Sequence, residues 1–253
     1  MRIRVEQRTG QRAERAMAHV AAVFPAYNEE RHLARCVEAA LACGLGLVVV
    51  VNDGSTDSTG AILDRLACDP RVQAVHHEVN LGKQAGVVHG LQAAARHTHW
   101  NAVAVLDADM QNDPALLPRL CGLIGPYDLV VGRRHQDHMP AVRRAANLLA
   151  SAPYALLAGV PIGDVQSGYR VYSRETAAYL ARHLPEAGRY AFEHSSMLLF
   201  ARLARARRRD FRIAEVPVPC SYEDAPSRIR LCDKLQLTWA TVYHAAAIAR
   251  LRR

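Results

Sequence analysis

Nowhere does the chain run to about 18 uninterrupted apolar residues, the span a membrane-crossing helix needs. The opening MRIRVEQRTGQRAERAMAHV is basic and lacks the apolar stretch of a secretory signal. A cytoplasmic protein that does not cross a membrane is expected. The 6 cysteines include no C-x-x-C pair and no zinc-like spacing, and 253 residues can form a core without disulfides, so they read as reduced, mostly buried thiols. No repeat or low-complexity tract interrupts the chain, which excludes solenoid and disordered classes. Aromatics make up only 6% of residues against 50% apolar overall, so the core must be aliphatic. Acids are outnumbered 24 to 32 by Lys and Arg, leaving a formal charge of +8 and a pI near 9.5. Such a balance favours contact with nucleic acid, a membrane surface or a phosphorylated substrate. No basic motif interleaved with aromatics supports nucleic acid, which is not expected as a partner. The absence of a Gly-rich phosphate loop near the N-terminus argues against nucleotidyl transfer.

What is present is a regular alternation. HVAAVF (19–24), LVVVV (47–51), VQAVH (72–76), AVAVL (102–106) and DLVVG (128–132) read as strands, with continuous Val and Leu runs implying burial on both faces. Between them ERHLARCVEAALAC, STGAILDRLA, KQAGVVHGLQAAARH and PALLPRLCGLI carry helical periodicity. That order predicts a single α/β domain, a mostly parallel, Rossmann-like sheet flanked by helices. Ligands of such sheets bind beyond the carboxyl ends of the strands. The sharpest polar stretches fall there: PAYNEE, NDGSTDST, NLGK and DADMQND.

Asp107 and Asp109 sit at i and i+2 of an extended chain, so they point to the same side, and Gln111 adds a neutral oxygen two residues on. Two carboxylates at a strand end repel one another unless a hard cation neutralises them, so Mg²⁺ or Mn²⁺ bridging a diphosphate is expected. Asp113 before Pro114 reads as a helix cap. Asp53 either belongs to an ordinary strand-to-helix loop, with Ser55 or Thr56 capping the next helix, or accepts hydrogen bonds from a nucleobase or ribose. Lys83 after Gly82 is either a phosphate ligand at a helix start or a surface charge. The histidines, including His76-His77 and His135 and His138, show no metal-site spacing.

In the order and spacing of PAYNEE, VVNDGSTDST, NLGKQAGVVHG, LDADMQNDP, VGRR, DVQSGYRVYSRE and EVPV, the chain resembles the family 2 glycosyltransferases of GT-A fold, over about Val20 to Leu235. Within that family it is similar to the dolichyl- and polyprenyl-phosphate sugar synthases. The resemblance implies that Pro25, Tyr27, Glu29 and Asp53 line a nucleoside pocket, and that Asp107, Asp109 and Gln111 hold the metal and diphosphate. It further implies that Arg134 and Arg143 bind an acceptor phosphate and that Asp164 lies at the reacting centre. Asn52 stands where many members carry a first Asp. The tail motif appears as YEDAPSRIR, with Ser227-Arg228 in place of Ser-Lys and the acidic Glu223-Asp224 as a departure; Arg228 is the substrate-binding residue this implies.

The resemblance therefore implies an inverting, metal-dependent transfer of sugar from a UDP- or GDP-sugar to an acceptor, by direct displacement. A polyprenyl phosphate acceptor is already anionic and needs the permanent cations Arg134 and Arg143 for positioning. A soluble hydroxyl acceptor, the alternative, needs a base, for which Asp164 is the candidate; its other reading is a turn Asp beside Gly163. The non-enzyme alternative is a regulator that binds nucleotide-sugar. Residues 1–18 are expected as a basic extension, 19–235 as the glycosyltransferase domain and 236–253 as a basic amphipathic helix. That last segment either lies on anionic lipid, as a peripheral contact at the inner face of the membrane, or docks on the domain. Nothing in the sequence indicates an oligomeric state.

Overall fold

β-branched and small residues in unbroken runs build the sheet. A computed structural model describes residues 17–97, 99–134, 145, 147, 151, 162–186, 192–207 and 212–219. Its strands are β1 (Val20–Ala26), β2 (Leu47–Asp53), β3 (Val72–His77), β4 (Ala102–Val105), β5 (Leu129–Arg134), β6 (Arg170–Ser173) and β7 (Ile213–Val218). The helices are α1 (Leu33–Ala42), α2 (Thr59–Leu66), α3 (Lys83–Ala95), α4 (Leu117–Cys121), α5 (Arg174–His183) and α6 (Phe192–Ala206). A 3₁₀ turn, Pro114–Leu116, precedes α4, and the Asp113 carboxylate caps it by accepting the Ala115 N–H at 2.9 Å, as expected.

The seven strands form one sheet in the order β3-β2-β1-β4-β6-β5-β7. β3, β2, β1 and β4 are mutually parallel, as are β5 and β7, whereas β6 is antiparallel to both β4 and β5. The expected strands all form. β6 was not among them, because its four residues lie within a longer polar motif and carry no run of their own.

Alternation along each strand explains the continuous apolar runs. Ala21, Val23, Val49 and Val51 face the core shared with Val87, Val88 and Leu91 of α3. Ala22, Phe24, Val48 and Val50 face the opposite core, with Leu33, Cys36 and Val37 of α1. Both faces are dry, so neither face needs polar residues; each fully buried Val contributes about 1.5 kcal/mol or more. Helix α3 lies close on the sheet, since a Cβ at Gly90 would sit 2.3 Å from Val23 Cγ1. Cys36 and Cys121 are buried, and burial pushes each thiol up to about 12; Cys43 is half-buried and Cys68 exposed. Cys220 and Cys232, most of the expected basic extension and all of the expected C-terminal helix lie outside the described residues.

Candidate active site

The loops after β1 and β2 are stitched together. Asn28 takes the left-handed conformation (φ 55°), which Asn tolerates better than most residues. Its N–H donates to Ser55 Oγ at 3.0 Å, and its Oδ1 accepts the Thr56 N–H at 2.8 Å. The Glu29 N–H donates to Thr59 Oγ1 (2.8 Å), and Glu30 Oε2 accepts the Ser58 N–H (3.1 Å). Ser55 and Thr56 are thus spent across the gap and do not cap α2, where Asp57 accepts the Thr59 N–H at 2.9 Å. Pro25 is buried at the end of β1, Glu29 is buried, and Tyr27 is 38% exposed at the mouth between these loops.

Asp53 ends β2, buried. Its Oδ1 accepts from His77 Nδ1 and the Leu81 N–H, each at 2.8 Å, and its Oδ2 from the Gly82 N–H at 2.8 Å. Three of the roughly four lone-pair positions of a carboxylate are therefore filled. Asn52 Oδ1 accepts the Ser55 N–H (3.1 Å), and its amide nitrogen donates to His76 Nδ1 (3.2 Å). The turn between them needs Gly54: φ is +64°, and a Cβ would lie 2.4 Å from the Val79 carbonyl carbon.

Lys83 opens α3 beneath these loops and is no surface charge. Its Nζ lies 2.7 and 2.9 Å from the two oxygens of Asp107 and 2.8 Å from Glu193 Oε1. Burial penalises that ammonium, but the two acids outweigh it and raise its pKa. Glu193, at the first turn of α6, is held below the ordinary glutamate range: burial pushes it up, and Lys83 and Arg170 overcome this. Asp109 is raised, by burial first and by Asp107 second, although its Oδ1 accepts the Gln111 N–H at 3.0 Å. Asp107 and Asp109 thus lie close together, but not on an extended strand as their spacing implied: β4 ends at Val105 and Met110 is left-handed (φ 59°), and Gln111 is tied in through its backbone N–H. Gly168 backs the pair of acids so closely that a Cβ there would lie 2.7 Å from Asp107 Oδ2.

Arg170, fully buried at the start of β6, organises the loop that carries Gly168. Its guanidinium donates to the carbonyls of Ser167 (2.9 Å), Glu193 (3.0 Å) and Val165 (2.5 Å) and to Ser196 Oγ (2.8 Å). The same loop reaches β5 through Ser167 Oγ, which donates to the Gly132 carbonyl at 2.6 Å. At its head Asp164, 1% exposed, is clamped by Arg134: Nε to Oδ2 and Nη2 to Oδ1, both 2.8 Å, with the Arg134 N–H at 3.1 Å. Glu215 of the EVPV strand accepts the Gly163 and Asp164 N–H groups at 2.9 and 3.1 Å, and burial raises its pKa. Arg143 and Arg228 lie outside the described residues.

Sequence reasoning missed Glu193 and Arg170. Glu193 carries no local signal, since its acid meets Lys83 only through the packing of α6 on α3. Arg170 was in plain sight within DVQSGYR, where its place beside Val171 and Tyr172 was the available sign.

Residues 21–180 match the sequence profile of Glycosyl transferase family 2. The chain is 30% identical over 205 residues to the polyprenol monophosphomannose synthase of Mycolicibacterium smegmatis, covering 78% of this chain and 75% of that one. It is 29% identical over 177 residues to the undecaprenyl-phosphate mannosyltransferase of Micrococcus luteus, covering 68% and 70%. Its fold superposes on glucosyl-3-phosphoglycerate synthase of Mycobacterium tuberculosis in complex with UDP, with a TM-score of 0.72 and 22% identity over 96% of this chain and 87% of that one. The same enzyme with Mn²⁺, UDP and glucosyl-3-phosphoglycerate gives a TM-score of 0.70 at 21% identity. A mostly parallel sheet with acids at the ends of its strands, a sequence match over more than half the chain and a GT-A-like fold converge on one assignment: this chain belongs to glycosyl transferase family 2 and is a glycosyltransferase.

Proposed function

We propose that the protein moves a sugar, with inversion, from a UDP- or GDP-sugar to a polyprenyl phosphate, with Mg²⁺ or Mn²⁺ held at Asp107, Asp109 and Gln111. The observation that carries this reading is the carboxylate edge at Asp107 and Asp109. Carboxylate and amide oxygens are a hard donor set, and the raised Asp109 is a group that a bound cation relieves. No group of three or more His, Cys, Asp or Glu among the described residues forms a closed cage. A divalent cation would complete its shell with diphosphate oxygens and water, as Mg²⁺ commonly does. When bound, it stabilises the negative charge that develops on the departing nucleoside diphosphate.

The remaining steps belong to the chain. Pro25, Tyr27, Glu29 and Asp53 receive the nucleoside, Asp53 with its remaining acceptor position. Lys83 adds a fixed positive charge beside the diphosphate. Arg134 brings its permanent positive charge to the acceptor phosphate, and Arg143 and Arg228 join it. Asp164 acts by orienting the Arg134 fork. A hydroxyl acceptor would need a carboxylate ready to take a proton, and both Asp164 oxygens accept from Arg134. The names of the Mycolicibacterium and Micrococcus relatives also support the phosphate acceptor. Among the described residues no helix is long and apolar enough to cross a membrane.

The test is a donor screen by mass spectrometry with Mn²⁺: UDP- and GDP-sugars, each with and without a short polyprenyl phosphate. Sugar on the lipid phosphate is the expected product. Transfer only to soluble hydroxyl acceptors would overturn the acceptor, and no consumption of any nucleotide-sugar would overturn the donor.

A further inference from the structure

One ammonium stands where a metal cation would have to act. Lys83 Nζ lies 2.7 Å from Asp107 Oδ1 and donates to Asp107 Oδ2 at 2.9 Å and to Glu193 Oε1 at 2.8 Å. We propose that Lys83 holds Asp107 in the ligand-free protein and yields it to the divalent cation when a diphosphate offers the ammonium a new partner, so that metal and nucleotide binding are coupled through this one side chain. The inference rests on the cation site at Asp107 and Asp109 proposed above.

Charge and distance make the two cations rivals. Mg²⁺ sits about 2.1 Å from a ligand oxygen, so on either Asp107 oxygen it would stand no more than about 5 Å from an undisturbed Lys83 Nζ. A dication and an ammonium that close, in a site largely shielded from water, repel one another strongly. Metal alone therefore drives the ammonium off Asp107 and leaves it with Glu193 only. Metal together with a nucleoside diphosphate does not, because phosphate oxygens take the place of the Asp107 carboxylate. That difference is a coupling free energy: each ligand removes part of what opposes the other.

The surroundings leave the ammonium one way to turn. Of the three side chains Asp107 is the most exposed and Glu193 the least. Gly168 closes the side behind the pair, where a Cβ would lie 2.7 Å from Asp107 Oδ2 and 3.1 Å from Lys83 Nζ. Glu193 is fixed through its carbonyl, which accepts from Arg170 Nη1 at 3.0 Å and from Ser196 Oγ at 3.1 Å. The ammonium thus stays tethered to Glu193, beside the diphosphate, as it turns from Asp107 to phosphate. The backbone just before Lys83 is pinned by Asp53, which accepts the Leu81 and Gly82 N–H groups, so only the side chain has to move.

Calorimetry of UDP and GDP binding, in EDTA and at saturating Mn²⁺ and at one pH, gives the coupling as the ratio of the two dissociation constants. Capture of Mn²⁺ by free nucleotide is the same for every variant and cancels between them. Lys83→Met removes the ammonium, and Lys83→Gln does so while keeping a donor, should the apolar variant fail to fold. In either, the ratio should fall about tenfold below wild type. A charge that stayed in place would act equally on metal binding with and without nucleotide, shifting the affinities but not their ratio. Glu193→Gln keeps the ammonium and should keep the coupling. An unchanged ratio in the lysine variants, or an equal fall in Glu193→Gln, overturns the proposal while the donor and metal sites stand. If neither nucleotide binds wild type, the donor reading fails; if one binds and Mn²⁺ leaves its affinity unchanged, the metal reading fails, and in both cases the coupling fails with it.

Discussion

Lys83 Nζ lies within 2.9 Å of both Asp107 oxygens and 2.8 Å from Glu193, so one ammonium is shared by two acids from different parts of the chain. Asp107 follows β4 and Glu193 opens α6, which makes Lys83 the tie between them.

Removing that tie leaves two acids without their counter-charge. Lys83→Met should lower stability by about 3 kcal/mol, read by denaturant unfolding at neutral pH. The pH dependence has a fixed sign. Glu193 is depressed in the folded state, so its contribution is complete above the ordinary glutamate value of about 4.3 and is lost as pH falls through its lower folded value. The difference between wild type and Lys83→Met should therefore shrink on acidification. A difference that is constant with pH would remove Glu193 from the account.

Asp109 behaves in the opposite sense. Its pKa is raised on folding, so its ionised form opposes folding at neutral pH and this penalty is relieved as pH falls through the raised value. Asp109→Asn should melt higher than wild type without metal. It should gain nothing from Mn²⁺ with UDP or GDP, whereas wild type should gain. Calorimetry with and without the cation checks both halves.

Gly168→Ala tests the packing behind the acids. The new methyl would sit 2.7 Å from Asp107 Oδ2 and 3.1 Å from Lys83 Nζ, so the pair must part. Sugar transfer should drop more than about tenfold with cooperative unfolding retained, a displacement of about one ångström being enough for such losses. Full activity would mean that the Asp107 position is not critical.

Arg134→Lys separates fork from charge. Lysine can still neutralise the buried Asp164 but offers no planar pair of donors, so the fold should survive. Transfer to a polyprenyl phosphate should fall about a hundredfold, while slow hydrolysis of the nucleotide-sugar continues. Asp164→Asn should weaken acceptor binding more than it slows the chemical step. Complete loss of turnover at saturating acceptor in Asp164→Asn would instead make that residue the base of a hydroxyl transfer.

The sequence disclosed the parts of the site that lie close together along the chain. Val-rich runs announce strands buried on both faces; the pleat expected to align Asp107, Asp109 and Gln111 stops at Val105, and Met110 is left-handed (φ 59°), yet Asp107 and Asp109 still lie close enough to repel one another. Contacts between distant segments stayed hidden. Nothing in STDST tells whether Ser55 caps its own helix or answers Asn28 across the gap. Whether Lys83 is solvated depends on two acids supplied by a loop and a helix from elsewhere in the chain, and Glu193 is 110 residues away. β6 escaped because four residues set inside a charged motif carry too little pattern to signal a strand.

β6 also has a consequence for how the molecule is made. Among the described residues it is the strand hydrogen-bonded to both halves of the sheet, β4 on one side and β5 on the other. The first half, β1 to β4, closes through parallel neighbours joined by short crossovers within about the first 105 residues. β5 must wait for β6, which lies more than 30 residues further along the chain, before it can join that half. Because β6 runs backwards, the loop leading into it arrives at the same edge as the ends of β4 and β5, touching Asp107 through Gly168 and Gly132 through Ser167. During synthesis the first half of the sheet can therefore assemble while the rest of the chain is still emerging, and the contacts of Gly168 and Ser167 to that edge form only when the reversed strand seals the two halves.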